Sequence, residues 1–159
     1  MLAFCGQDKC VVDANGRVKL SPRLIADFTR ECGGEVILHC LPEGAVAIYP
    51  ETVYKDVRER ARSAETLNEL GSSIVRRREL RRFGAMSTPD RVTTQGRLTV
   101  PVGFREFTGL TPGAEAYVVG VEVGAEIWSA ERWKREMELV NGHLEQKSAE
   151  EMAADIRGE

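Results

Sequence analysis

The sequence predicts an α+β fold built from two copies of a hairpin followed by a helix. The strongest observation is a motif that occurs twice, as DANGRVKL at residues 13–20 and as TTQGRLTV at residues 93–100. A second pair of segments, IYPETVYK at 48–55 and IWSAERWK at 127–134, recurs at nearly the same offset. Two matches in register are hard to obtain by chance, so we interpret the chain as a tandem duplication.

Length and composition indicate that the two halves share one core. The chain has 159 residues, of which 42% are hydrophobic and 30% are charged, as is typical of globular proteins. Half of this length is marginal for an independent core. No apolar run approaches the roughly 20 residues of a membrane span, and the start lacks the features of a signal peptide. We therefore expect a cytoplasmic protein with no membrane partner.

The residues that usually hold metals or perform catalysis are sparse. The cysteines include no C-x-x-C pair, and only His39 and His143 could assist them, so we predict no metal site and no cofactor. We expect His39 to be a structural residue of a strand. Hydrolase, metalloprotease and phosphate-cradling motifs are also missing. These observations argue against an enzyme and against a small-molecule substrate.

The first half is predicted to open with a hairpin. A strand over residues 4–12 leads into a turn at residues 13–16, and the chain returns over residues 17–20. An Asn-Gly pair flanked by alternating apolar residues favours this turn, because the glycine takes the positive φ that the turn requires. An arginine therefore follows the glycine directly at the hairpin tip.

A helix and a second hairpin follow. Ser21 is a typical N-cap and Pro22 a typical first helical residue, and the helix is expected to end at Gly33. Strands over residues 35–41 and 45–49 then form a hairpin across a Pro-Glu-Gly turn. The first half thus alternates hairpins with short helices.

The connection between the halves is predicted to be helical and basic. Pro50 opens a helix whose apolar residues keep helical spacing as far as Leu70. Residues 71–73 interrupt it, and residues 74–83 form another helix that carries Arg76, Arg77, Arg78, Arg81 and Arg82. We interpret this helix first as a solvated connector whose arginines pair with Glu79 and neighbouring carboxylates, and second as a phosphate-binding surface.

The second half is predicted to follow the first. A strand over residues 86–92 is expected to be interrupted early by Thr88-Pro89, and the chain returns over residues 97–100 after a Gln-Gly turn. Pro101 begins a short helix that ends at Gly109.

A hairpin and helical segments are expected to complete the chain. The hairpin joins strands over residues 116–121 and 125–128. A helix then runs from residue 130 to about residue 140, where Asn141-Gly142 ends it. The remaining residues predict a short, frayed helix in an acidic tail.

The paired hairpins suggest contact with DNA. Arginine donates two hydrogen bonds to guanine in the major groove, and a two-stranded ribbon is one of the few elements that fits that groove. Arg17 and Arg97 occupy the same position in the two halves and are the candidate base-reading residues. Candidate phosphate contacts are Lys9, Lys19, Arg23, Arg91 and Arg105. The net charge of −3 argues mildly against nucleic-acid binding but leaves the local distribution of charge to decide.

These features together resemble the MraZ family of bacterial transcriptional regulators, whose repeats are of the AbrB/SpoVT swapped-hairpin type. The resemblance covers roughly residues 4–140, in order and with the family's spacing. The segments that carry it are F-x-G at 4–6, DANGR at 13–17, IYP at 48–50, QGRLTVP at 95–101 with FR at 104–105 and GL at 109–110, and IWS at 127–129 before Trp133. The family's D-x-x-x-R motif is complete in Asp13 and Arg17, whereas Thr93 stands where the second repeat usually has aspartate.

The resemblance implies a specific architecture. Two tandem AbrB/SpoVT-like hairpin and helix repeats would interleave into one pseudo-two-fold swapped-hairpin barrel with flanking helices. The first repeat with connector helices would span residues 1–84, the second repeat 85–143, and an acidic C-terminal tail 144–159. The DNA-binding residues implied are Asp13, Asn15, Gly16, Arg17, Lys19, Gln95, Gly96, Arg97 and Thr99.

The resemblance also implies a partner and a role. Several chains would assemble into a homo-oligomeric ring that binds double-stranded DNA at guanine-containing direct repeats upstream of the protein's own operon. The protein would act mainly as a nucleoid-associated repressor of the division and cell-wall gene cluster. The alternative is a ring-forming interaction scaffold that has lost specific DNA binding, which Thr93 and the negative net charge motivate.

Overall fold

The computed structural model describes residues 2–62 and 71–158, and it confirms the α+β class. The helices are α1 (Pro22–Cys32), α2 (Glu51–Arg62), α3 (Ile74–Ala85), α4 (Val102–Thr108) and α5 (Ala130–Arg157). The strands are β1 (Gln7–Val11), β2 (Arg17–Lys19), β3 (Glu35–Cys40), β4 (Val46–Pro50), β5 (Ser87–Arg91), β6 (Arg97–Thr99), β7 (Glu115–Gly120) and β8 (Ala125–Ser129).

The larger sheet combines strands from both halves of the chain. Its six strands run in the order β1-β7-β8-β4-β3-β5, with antiparallel pairing throughout. In β1 and β7, Gln7 lies opposite Val119, and in β5 and β3, Ser87 lies opposite His39. Each half therefore contributes its first strand to the hairpin of the other half.

The first hairpin differs from the local one that the sequence predicts. The turn at residues 13–16 forms, and the amide of Asp13 donates to the carbonyl of Arg17 at 2.9 Å. The two flanking strands nevertheless do not pair with each other, because β1 pairs with β7 and β2 pairs with β6. Pairing across the halves buries Val18 of β2 and Leu98 of β6 together in the core. The expected strand over residues 4–12 is shortened to β1, because Phe4 and Gly6 have positive φ, 54° and 85°, which is outside strand geometry.

Helix α1 has the predicted boundaries. The side chain of Ser21 accepts a hydrogen bond from the amide of Leu24, and Pro22 is the first helical residue. Gly33 ends the helix in the left-handed conformation, with φ of 63°. The helix buries Leu24 and Phe28, which belong to a single hydrophobic core drawn from both halves. The shared core and the hairpin of β3 and β4 are thus confirmed.

Pro89 does not interrupt its strand as expected. It lies inside β5, opposite Ile37 of β3. Because β5 is at the edge of the larger sheet, proline's missing amide hydrogen removes no hydrogen bond to a further strand.

Helix α5 continues past the predicted stop at Asn141-Gly142 and ends at Arg157. A glycine inside a helix costs only about 1 kcal/mol relative to alanine, and residues 134–139 and 144–147 on either side are good helix formers. The segment 144–157, expected to be a frayed tail, is helical. The chain divides into two compact units, one through Ser129 and one from Ala130 onward that consists of this helix.

The connector between the halves is helical on both sides of residues 63–70. Helix α3 begins after Ser73, whose side chain accepts a hydrogen bond from the amide of Arg76 at 3.1 Å. Gly71 and Ser72 themselves have helical conformation, so the described break is at Ser73. The predicted helical position Leu70 lies outside the described residues.

Candidate nucleic-acid interface

The two repeated motifs form one two-stranded antiparallel ribbon from β2 and β6. Arg17 lies opposite Thr99, and Lys19 lies opposite Arg97. Val18 and Leu98 alternate with these residues and are each only 1% exposed. Because successive side chains of a strand point to opposite faces, the ribbon has an apolar inner face and a polar outer face. The outer face carries Arg17, Lys19, Arg97 and Thr99.

Matching hydrogen bonds tie the two turns to the ribbon. The carbonyl of Gly16 accepts from the amide of Val100, and the carbonyl of Gly96 accepts from the amide of Leu20, each at 2.8 Å. Both glycines have positive φ, 76° and 69° respectively. This conformation is strained for other residues. The structure therefore brings all nine predicted binding residues together on the ribbon and its turns.

Asp13 holds Arg17 in place at the first turn. Its Oδ1 atom accepts from the amides of Asn15 and Arg17, both at 2.9 Å, and its Oδ2 atom lies 3.2 Å from Nε of Arg17. The hydrogen bond from the Arg17 amide is the largest of the effects that lower the pKa of Asp13. The ionised carboxylate thus fixes both the turn and the base of the guanidinium.

The second turn lacks this carboxylate. Thr93 takes the position of Asp13, and its carbonyl accepts the turn hydrogen bond from the amide of Gly96 at 2.9 Å. Arg97 is exposed, and its side chain has no hydrogen-bond or ion-pair partner within residues 2–62 and 71–158. Its side chain is therefore free to move, in contrast to that of Arg17.

A further cation lies against the first turn only. Arg105 of α4 donates from Nε to the carbonyl of Val100 at 2.9 Å, and from Nη2 to the carbonyl of Asn15 at 3.4 Å. At the second turn the corresponding neighbour is Ile25, whose side chain packs over Gly96. Arg105, which the sequence indicates as a phosphate contact, therefore lies beside the first turn.

The start of α1 borders the ribbon. An open depression is lined by Lys19, Pro22, Ile25, Ala26, Thr94, Gln95 and Arg97. Helix α1 has no acidic residue in its first turn, and its N-terminal end carries a partial positive charge. Sequence reasoning did not assign Thr94 or this helix end to the site. The signal for the helix end was the N-cap Ser21, which follows β2 almost directly.

The other predicted phosphate contacts do not extend the ribbon. Lys9 of β1 pairs with Glu115 at 3.5 Å, and Arg91 of β5 pairs with Glu35 at 2.8 Å. Arg23 of α1 donates to the carbonyl of Cys5. These cations lie on other elements, and strand pairing places acidic residues beside two of them.

The described part of the chain contains no group of three or more His, Cys, Asp or Glu side chains arranged to hold a metal ion. None of its helices combines the length and apolar character needed to cross a membrane.

Known bacterial proteins are similar to most of this chain. Transcriptional regulator MraZ of Caldicellulosiruptor saccharolyticus is 35% identical over 133 residues, covering 83% of this chain and 85% of its own. The protein of the same name from Corynebacterium efficiens is 31% identical over 82% of this chain and 83% of its own. The one from Nitrosospira multiformis is 29% identical over 85% of this chain and 87% of its own. No protein-family model matches the chain.

Proposed function

The chain belongs to the MraZ family of transcriptional regulators, and on this premise we propose that it regulates transcription by binding double-stranded DNA with the β2–β6 ribbon. The observation that carries the proposal is the outer face of the ribbon, where Arg17, Lys19 and Arg97 project from a buried apolar base. A two-stranded ribbon is one of the few elements that fits the major groove.

The ribbon residues have distinct proposed roles. Arg17 and Arg97 read guanine through its O6 and N7 atoms, a contact that is worth about 1–3 kcal/mol of discrimination against another base. Lys19 and Thr99 lie opposite these arginines and bind phosphate or sugar. Because Val18 and Leu98 anchor the ribbon in the core, it presents the four outer side chains from a rigid base.

The two arginines contribute unequally in this proposal. Arg17 is held by Asp13, so little side-chain entropy is lost when it contacts a base. Arg97 lacks a corresponding carboxylate, so its side chain loses more entropy when it contacts a base. The first turn, which also has Arg105 beside it, is therefore the principal reader. The second turn mainly adds charge.

The finer architecture is part of the proposal. The exchange of β1 and β5 between the halves supports an interleaved AbrB/SpoVT-like barrel made of repeats at residues 1–84 and 85–143. Each ribbon offers three cations on a chain with a net charge of −3, so a single chain binds DNA weakly. A homo-oligomeric ring that engages several guanine-containing direct repeats multiplies this weak contact.

The proposed biological role follows from that mode of binding. A ring on repeats upstream of its own operon represses the division and cell-wall gene cluster and is associated with the nucleoid. The test is binding of the purified protein to a duplex from upstream of its own gene and to a scrambled duplex over a salt series. We expect preference for the upstream duplex and a log–log salt slope of about −0.9 for each phosphate neutralised.

The outcomes separate the regulator from its rival. Equal binding to both duplexes at every salt concentration would contradict sequence-specific regulation. A ring observed by sedimentation together with that result would favour the interaction scaffold. Sedimentation as a monomer with intact preference would remove the ring from the proposal and leave the DNA reader standing.

A further inference from the structure

A cavity of about 340 Å³ lies away from the ribbon, between helices α2 and α3 and the hairpin of β3 and β4. Val53 and Val57 of α2 line one side, and Leu41 and Pro42 of the β3–β4 turn line another. None of the described residues that line it is acidic. A cavity with apolar walls and a few polar groups is the usual form of a small-molecule site.

Aromatic rings form much of the wall. The ring of His39 stacks on that of Phe83 with centroids 5.2 Å apart and planes 12° apart. The rings of Tyr49 and Tyr54 are also stacked, with centroids 6.5 Å apart. These four side chains all line the cavity. They favour a flat, apolar ligand body, which packs against ring faces and edges.

One of the residues that line the cavity, Arg82, has an unused hydrogen-bond donor. Nη2 of Arg82 donates to the carbonyl of Cys40 at 2.5 Å, whereas its Nη1 is buried without a hydrogen-bond partner among the described residues. A buried donor left unpaired is costly, and a charged one more so. The fork of a guanidinium matches a carboxylate, which accepts short charge-assisted hydrogen bonds.

The local charge also favours an anion. Arg58 lines the same cavity, with its guanidinium carbon 4.0 Å from the centroid of the Phe83 ring. His39 is buried and bound to Ser87, whose Oγ lies 2.7 Å from Nδ1. Burial, together with the charges of Arg82 and Arg58, lowers the pKa of His39 to about 4. The histidine is therefore neutral near pH 7, and two arginine residues line the cavity.

We propose that this cavity binds a small aromatic carboxylate, with the carboxylate on Arg82 and the ring among His39, Tyr54 and Phe83. The site is separate from the ribbon and does not rest on DNA binding. The rim includes Val57 and Val123, which are 57% and 53% exposed and leave the cavity open to solvent. A ligand can therefore enter without unfolding either helix.

The test uses the full-length protein and 2-naphthoate as the probe. Neutral 2-naphthamide is the control for the carboxylate, and acetate is the control for the ring. Binding is followed by calorimetry and by the imidazole carbon–proton NMR signals. The chain has two histidines, and a His143→Gln variant assigns their signals. We expect one naphthoate per chain, at least about tenfold weaker binding of both controls, and movement of the His39 signal only.

Substitutions locate the carboxylate. Arg82→Gln should weaken naphthoate binding at least about tenfold, whereas Arg81→Gln on the exposed side of α3 should leave it unchanged. Val57→Trp fills the cavity from its exposed rim and should abolish binding while leaving Arg82 in place. It keeps the test decisive should Arg82→Gln fail to fold.

Several results would overturn the proposal. They are no binding of naphthoate, equal binding of acid and amide, unchanged affinity in a folded Arg82→Gln or Val57→Trp variant, or movement of the His143 signal instead. Failure to bind while the Val57→Trp variant changes the oligomeric state would show that a second copy of the chain covers the cavity. DNA binding is measured separately, so neither outcome depends on the proposed regulator function.

Discussion

The Nε atom of Arg17 lies 3.2 Å from Oδ2 of Asp13, and the amide of the same arginine donates to Oδ1 at 2.9 Å. One carboxylate thus fixes the turn and orients the side chain that leaves it. In the second turn Thr93 makes only a backbone hydrogen bond, and Arg97 is not restrained. Both turns are closed by the same backbone hydrogen bond, but an acidic side chain holds only Arg17 in place.

Removing this restraint should lower specificity without removing a contact to DNA. Asp13→Ala releases the Arg17 side chain, which weakens specific binding to the upstream duplex. It also removes a negative charge, which favours binding to any DNA. We therefore expect a lower ratio of affinity for the upstream duplex to affinity for a scrambled one. An exposed ion pair contributes little, so the specificity ratio should fall by no more than roughly fivefold. The converse variant, Thr93→Asp, should raise it. Affinity measurements on both duplexes check this, and an unchanged ratio in Asp13→Ala would show that the restraint is irrelevant to reading.

The guanine contact has its own test in the DNA. Replacing guanine by 7-deazaguanine removes the N7 acceptor and keeps base pairing. If Arg17 reads guanine, the wild-type protein should lose roughly 1 kcal/mol or more of binding free energy, or about fivefold in affinity. The Arg17→Ala variant should lose much less on the same exchange. Equal losses for both proteins would mean that another residue contacts N7.

The inner face of the ribbon should determine stability. Leu98 is 1% exposed and belongs to the shared core, so Leu98→Ala should lower the free energy of unfolding by about 2–5 kcal/mol. The matched control is Val102→Ala, because Val102 is 76% exposed and should change stability by less than about 0.5 kcal/mol. Urea unfolding gives both values. Similar, small changes in the two variants would contradict a buried ribbon base.

Gly96 should tolerate no side chain. Its φ is 69°, and an added methyl group would collide with Ile25, so Gly96→Ala should destabilise the fold by roughly 1–3 kcal/mol. Adding Ile25→Ala should recover the part of the loss that is due to crowding. Gly103→Ala is the control, since that helical glycine has open space around it and should gain stability. Thermal unfolding of the wild type, the two single glycine variants and the double variant gives these values. Equal effects of Gly96→Ala and Gly103→Ala on stability would contradict this account.

Acid should destabilise the protein through His39. Its pKa is about 4 in the folded state against an ordinary value of 6.5, so the unfolded chain binds more protons between these values. The contribution of His39 to stability is therefore full above the ordinary pKa and falls as the pH drops towards the folded one, by about 3 kcal/mol in all. His39→Gln should flatten this dependence, and His143→Gln should preserve it. Denaturant unfolding at a series of pH values measures how the free energy of unfolding depends on pH. A wild-type protein whose stability did not fall between pH 6.5 and pH 4 would contradict this prediction.

Local signals were enough to predict both ends of α1, although they placed the end of α5 too early. Ser21 and Gly33 bound α1 as expected, because a cap depends on only a few neighbouring residues. The partners of β1 and β2 were not predictable from the local motif, since an Asn-Gly turn specifies the bend and not which strand lies alongside. The family resemblance, rather than periodicity, carried the expectation that the halves interleave.

The limits of sequence reasoning were similar at the candidate site. The recurrence of glycine followed by arginine identified Arg17 and Arg97, and strand pairing placed them on one ribbon. Lys9 and Arg91 could not be separated from them by residue type alone, because their glutamate neighbours come from distant strands. Arg82 was counted with a solvated arginine run, whereas the packing of α3 against the β3–β4 hairpin turns it toward a buried carbonyl.

The measurement that tests the central claim most directly compares two double variants that each lose two positive charges. Arg17→Ala with Arg97→Ala removes the proposed readers, and Lys9→Ala with Arg91→Ala removes two cations that pair with glutamates on neighbouring strands. Binding of each to the upstream and scrambled duplexes is measured at one salt concentration. We expect the first variant to lose its preference for the upstream duplex and the second to retain it. Retained preference in the first variant, with its fold intact, would show that the ribbon does not read the DNA.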